Sequence, residues 1–201
     1  MSAVEIRAKD VKALRDRTGI GMMDAKAALQ EAGGDMEKAV EIARMQGAKD
    51  AGKLADREAS EGVVASYVHA TGKIGVLVEV NCNTDFVARN EDFQEFAREV
   101  ALHVAALGPD YVHEDEISEE WRAKELALFE EQAGDKPENV RPKIAEGKMR
   151  KRLEEVVLLK QEHVNAEKHA GKTIEELRTD LSAKTGENIV IRRFARFNVG
   201  A

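Results

Sequence analysis

Proline, cysteine and aromatic side chains are scarce in this sequence of 201 residues. The single cysteine, Cys82, can form no internal disulfide, so an apolar core rather than covalent staples has to hold the fold. The 3 prolines, Pro109, Pro137 and Pro142, all fall in the second half, which leaves the first half free of that helix breaker. No apolar run approaches the roughly 20 residues that span a bilayer. The start MSAVEIRAKD also lacks the apolar segment of a secretory leader, so the expectation is a cytoplasmic chain without a membrane partner. Positive charge is short as well: 31 Lys and Arg face 38 Asp and Glu, and the resulting charge of -7 speaks against a direct, sequence-independent hold on nucleic acid.

Periodicity divides what remains into three stretches. Residues 1–50 read as a module of three short helices. Val11 and Leu14 mark the first, which Gly19 stops; Met22, Met23, Ala27 and Leu29 mark the second, closed by Gly33-Gly34; and Asp35 caps a third carrying Met36, Ala39, Val40 and Ala43. Residues 51–61 are small and charged and read as a linker, the small, charged composition starting at Gly47. From 62 to 201 the pattern is that of an α+β core. In EGVVASYVHATGKIGVLVEVNC two β-branched runs flank ATGK, and Ile74, Val76, Val78, Val80 and Cys82 share one face of a β-hairpin. Helical spacing returns from Thr84 to Leu107 with Phe93, Phe96, Val100 and Val104 inward, and Gly108-Pro109 ends it. Two further helices, with Trp121, Leu128 and Phe129 on one and Met149, Leu153, Val156 and Val157 on the other, form a helical-hairpin projection over about 118–163. ENIVIRRFARFNV is a third strand beside the hairpin, which completes an antiparallel three-stranded sheet covered by helices.

The sequence offers few candidates for chemistry. AGKT at 170–173 resembles the tail of a phosphate-binding loop, but Ala166 stands where that loop needs its first glycine. His163 and His169 are six apart, off any shared helical face, and no cysteine lies near, so no metal is expected. A thiol on an alternating strand is an inert core group, which disposes of Cys82 as a nucleophile. Arg192, Arg193 and Arg196 interleave with Phe194 and Phe197 as an RNA-stacking surface would, though a strand with one covered face has the same pattern. Neither a catalytic group nor a cofactor site emerges. Met22 and Met23 read as core plugs before they read as an adaptable contact surface. NCNTDFVARN, at 81–90, stays open. Thr84 or Asp85 could cap a helix with Phe86 stapling it to the hairpin, or Phe86 could project into another protein with Asp85 beside it.

Three stretches, LRDRTGIGMMDAKAAL, VEVNCNTDFVARN and KTGENIVIRRFARFNVG, in this order resemble the bacterial elongation factor Ts family over essentially the whole chain. The resemblance implies a non-enzymatic guanine nucleotide exchange factor for elongation factor Tu, with an N-terminal module like a ubiquitin-associated (UBA) domain ahead of the α+β core. It implies that Thr84, Asp85, Phe86 and Val87 help dislodge magnesium from the partner's nucleotide site, and that Leu14, Met22 and Met23 contact the partner's GTPase domain. Long members of the family carry two hairpin core modules where this chain has one, which is similar to members that act as homodimers. The apolar stripe of 118–163 adds a reason to expect self-association. The rival readings are an RNA-binding translation accessory protein resting on RRFARF and an adaptor resting on the first module alone.

Overall fold

The computed structural model describes residues 6–200. It is a mixed α+β structure with one antiparallel sheet of three strands, β1 (Glu61–Val68), β2 (Ile74–Cys82) and β3 (Val190–Asn198), in the order β1-β2-β3. The chain divides into two compact units, one of 1–65, 79–97 and 176–191, the other of 66–78, 98–175 and 192–201. Each strand has residues in both.

In the first unit, α1 (Ala8–Thr18), α2 (Met22–Glu31) and α3 (Met36–Leu54) enclose a small core of Val11, Leu14, Ile20, Ala25, Ala28, Leu29, Ala39 and Ala43. Its stops and starts are the expected ones. Gly19 takes the left-handed conformation and returns its N–H to the Arg15 carbonyl, and the Asp35 carboxylate accepts the free N–H groups of Glu37 and Lys38. Two expectations need correction. The face that α2 buries is Ala25, Ala28 and Leu29, not Met22, Met23 and Ala27, because small alanines let three short helices approach closely. In addition, α3 runs beyond Gly47 to Leu54, its last turns supported by contacts of Asp50 with Gln46 and Lys53.

Alternation along β2 is borne out, with Val76, Val78, Val80 and Cys82 all buried. The helical stretch after it is not continuous. α4 (Asp85–Ala88) is a single turn, and Asn90 then starts α5 (Glu91–Leu107) by accepting the Asp92 N–H, which explains the break: an amide side chain here serves as a helix start. Phe93, Val100 and Val104 are buried as expected on α5, joined by Ala97, Ala101 and Ala105, while Phe96 is half-buried.

The second unit contains the helical hairpin of α6 (Glu119–Gln132) and α7 (Arg141–Val156), the short α8 (Ala166–His169), and the first residues of α9 (Ile174–Thr185), most of which lies in the first unit. Ser118 caps α6 by accepting the Trp121 N–H. Ile117, Met149, Leu153, Val156 and Val157 make a core against Tyr111, Trp121, Leu126 and Phe129, so the hairpin covers its own stripe. Leu128, expected inside, is exposed. This unit leaves apolar residues open both on its strands, at Val68, Leu77 and Phe197, and on its helices, at Leu107 and Leu128.

Gly62 is the position where β1 depends on having no side chain. A Cβ there would collide with the Val80 carbonyl oxygen and come within 2.8 Å of the Asn81 Cα, both backbone atoms of the neighbouring strand. Gly62→Ala is expected to lower stability by at least about 1–3 kcal/mol, the usual cost of overpacking. A urea midpoint equal to that of the parent would show that the two strands can separate there at no cost.

Candidate functional site

β2 ends at Cys82, and the chain has to leave the sheet and start α4 within two residues. The corner is held from a distance in sequence. One oxygen of Glu187 accepts the N–H groups of Asn83 (2.9 Å) and Thr84 (3.1 Å), and the other accepts the Thr84 hydroxyl proton at 2.6 Å. With its proton committed, the Thr84 hydroxyl still accepts from the Val87 N–H (3.4 Å) and so caps α4. Thr84, not Asp85, is therefore the cap. The Asp85 carboxylate lies 2.9 Å from the Arg89 guanidinium, one turn on. Phe86 is 82% exposed and staples nothing to the hairpin, whereas Val87 is half-buried and Ala88 buried. The fold thus brings Thr84 to Val87 together as one short tip with an aromatic ring in solvent. Exposing a ring of this size forgoes a burial worth about 2–3 kcal/mol, a waste unless something else covers it.

The other expected contact residues divide. Met22 is 47% and Met23 76% exposed at the start of α2, while Leu14 is fully buried in the core of the three helices. Methionine as core plug is overturned here. Leu14 presents no surface and can act only by holding α1 against its neighbours.

Of the groups weighed for chemistry, Cys82 is buried, donates to the Thr84 carbonyl, and has its thiol pushed up to about 11 by burial, with the nearby Glu187 charge adding to it. It is no nucleophile. Arg196 spends its guanidinium on the Ala105 carbonyl at 3.3 Å, packed close to Gly108, so RRFARF is not a free run of cations. The sequence reading missed one cluster. Glu99 lies 64 residues before His163; one of its carboxylate oxygens is 3.2 Å from His163 Nε2 and 3.3 Å from His169 Nε2, the other is 2.8 Å from Lys168, and its backbone carbonyl accepts the hydrogen bond of His163 Nε2 at 3.4 Å. The three possible ligand atoms of Glu99, His163 and His169 lie within 4.8 Å of one another. His163 Nδ1, however, accepts the Asn165 N–H (3.1 Å), which puts the ring's proton on Nε2, facing Glu99. A metal-bound imidazole would need the opposite tautomer, with Nδ1–H pressed against the Asn165 N–H. The cluster is a carboxylate with its donors. Beside it, His103 Nδ1 accepts the Val164 N–H and Nε2 faces the Gln161 oxygen, so this buried ring is neutral too.

Comparison with known proteins follows the same lines. The family profile described as Elongation factor TS matches residues 7–170. Elongation factor Ts of Syntrophobacter fumaroxidans is 50% identical over 200 residues, 98% of each chain. That of Thermosipho melanesiensis is 50% identical over 197 residues, 97% of this chain and 99% of the relative. That of Anaeromyxobacter dehalogenans strain 2CP-1 is 52% identical over 198 residues, 98% of this chain and 89% of the relative. No helix among the described residues is long and apolar enough to cross a membrane.

Burial lowers the His103 imidazole from its usual 6.5 to about 4, with His163 pushing the same way and Gln161 opposing. His163 is lowered by burial and by His169, against Glu99. Burial raises the Glu99 carboxyl, but hydrogen bonds from Lys168 and His169 outweigh it and leave the group below its usual value. All three shifts are downward, so the folded state refuses protons that the unfolded chain accepts. Their stabilisation is complete above pH 6.5 and is lost as pH falls toward 4 for His103, with Glu99 adding loss below its ordinary 4.5. His103 alone corresponds to on the order of 3 kcal/mol once it is protonated. The urea midpoint should fall across pH 6.5 to 4, and His103→Gln should flatten that fall; an unchanged slope in the variant would remove His103 as its cause.

Proposed function

The chain belongs to the elongation factor Ts family, the translation elongation factors of that name, and from this we propose that it is a guanine nucleotide exchange factor for elongation factor Tu, promoting GDP release by disturbing the partner's Mg2+ and nucleotide site. The observation that carries the reading is Phe86, 82% exposed on a one-turn helix whose start is pinned on both sides. With the backbone at the start of its turn already fixed, the ring binds with less entropy to lose than one on a loose loop, which suits an interface anchor. Once Phe86 fills an apolar crevice of the partner, Asp85 on the same turn is carried to the neighbourhood of the metal. Its bond to Arg89 is an exposed pair of the kind worth less than about 1 kcal/mol, so the carboxylate turns away from it readily. Mg2+ demands near-octahedral oxygen ligation, and a small displacement of its surroundings weakens metal and nucleotide together. Coupling is reciprocal: nucleotide rebinding weakens the factor's hold, and it leaves unchanged, with no chemistry of its own.

On the same reading Met22 and Met23, flexible thioethers on the module that buries Leu14, are a second contact that supplies affinity. A second copy of the chain is the expected further partner, and the open apolar residues Val68, Leu77 and Phe197 on the strands and Leu128 on the helical hairpin offer surface for it. The setting is cytoplasmic. Direct RNA binding is the weaker alternative, with Arg196 already engaged and a charge of -7.

Release of labelled GDP from elongation factor Tu tests this. Phe86→Ala should lose affinity and exchange together, by about 2 kcal/mol or more in binding. Asp85→Asn should slow exchange more than it weakens binding, and the deficit should shrink when magnesium is chelated. Parent rates from both variants would refute the assignment of the tip. Met22→Ala with Met23→Ala should raise the concentration needed for half-maximal exchange while leaving the saturating rate near that of the parent. A saturating rate that collapses with them would show that these residues do more than bind.

A further inference from the structure

We propose that Glu187 and Asn188 are positioning residues that fix the direction of the Phe86 tip and tie it to the segment leaving α3, a role that rests on reading Phe86 as the docking element. α9 ends at Gly186 in the left-handed conformation, and the two residues that follow turn into the corner where β2 meets α4. There the backbone N–H groups of Asn83 and Thr84 need acceptors, since the sheet has ended and the helix has not begun. The carboxylate of Glu187 satisfies both and takes the Thr84 hydroxyl proton as well. That last bond sets direction. A hydroxyl has one proton and two lone pairs, so a threonine that gives its proton to Glu187 is left facing the Val87 N–H as an acceptor, and the turn carrying Phe86 starts in one orientation.

Asn188, almost fully buried, extends the arrangement in the other direction. Its backbone N–H goes to the Asn83 side-chain oxygen (2.9 Å), and its side-chain amide reaches the carbonyls of Ala55 (3.1 Å) and Arg57 (2.9 Å) just beyond α3. Asn83 in turn donates from its side chain to the Glu58 carbonyl at 2.6 Å. Two adjacent residues after α9 thereby connect the chain that leaves the three-helix module with the chain that enters the Phe86 turn. A one-turn helix cannot hold its own orientation, because its few internal hydrogen bonds do not repay the ordering of its residues. The direction of Phe86 therefore comes from outside it. Neither residue needs to touch a partner to matter.

The experiment has two arms on the full chain. In the free protein, amide hydrogen exchange of Asn83, Thr84 and Val87 should speed by on the order of tenfold or more in Glu187→Ala, as it does when a local hydrogen-bonded unit opens more often than the whole fold. Glu187→Gln, which keeps one acceptor oxygen and the side-chain length, should recover much of the protection. Parent-like protection at Val87 in Glu187→Ala would overturn the clasp. In labelled GDP release from elongation factor Tu, Glu187→Ala should lower the saturating rate about tenfold, since a misdirected tip no longer carries Asp85 to its place. The half-saturating concentration should rise as well, because Phe86 is also the binding anchor, and the melting temperature should fall by no more than the loss of one local clasp allows. Loss of stability with an unchanged rate per folded molecule would make Glu187 a support of the fold only and overturn its role in exchange. If Glu187→Ala fails to fold, Asn188→Ala takes its place in both arms and should loosen the corner, with Thr84→Ser, which keeps the hydroxyl, as the control in the amide arm alone. A parent chain that releases no GDP would sink the exchange reading and the positioning role within it, and the amide arm would still decide whether the clasp exists.

Discussion

A buried strand that stops just short of a helix strands its last backbone N–H groups, and in this protein one carboxylate, on Glu187, takes up two of them. Leaving such a donor unpaired away from water costs about 1–3 kcal/mol. The corner between Cys82 and Asp85 is consequently a place where the fold has little choice of geometry. Much of what surrounds it follows from that. Thr84 can cap only in one direction, Asp85 lands where Arg89 can reach it, and Phe86 is left largely in solvent. The last stretch of the chain thus dictates the shape of a turn roughly halfway along it.

Much of the architecture was legible because it rests on local rules. β-branched alternation gave β2, a left-handed glycine ended α1, and single side chains, Asp35 and Ser118, opened α3 and α6. These signals act within a few residues, and a sequence displays them directly. The expectation for the tip came in a different way, through the resemblance carried by NTDFVARN rather than through any pattern of spacing.

The failures come where distant residues decide. Apolar spacing cannot distinguish a methionine that fills a core from one that faces water, and in α2 the alanines already fill the space between helices. Asn90 looked like one polar residue within a helical stretch, yet its side chain starts a new helix and sets Phe86 on a turn of its own. Glu187 is 104 residues from Asn83, and Glu99 is 64 from His163; no periodicity joins such pairs. Glu187 left one trace. It is a charged residue between a helix-stopping glycine and an apolar strand, where a neutral turn residue would suffice.

Cys82 has a consequence for how this chain meets oxidants. Its thiol is fully buried and its acidity suppressed, so almost none of the reactive thiolate forms and peroxide finds nothing to attack there. The thioethers of Met22 and Met23 stand in the open instead, and each would become a polar, chiral sulfoxide on oxidation. Oxidative damage would therefore spare the sheet and alter the exposed start of α2, a lesion that sulfoxide reductases can reverse without unfolding the protein.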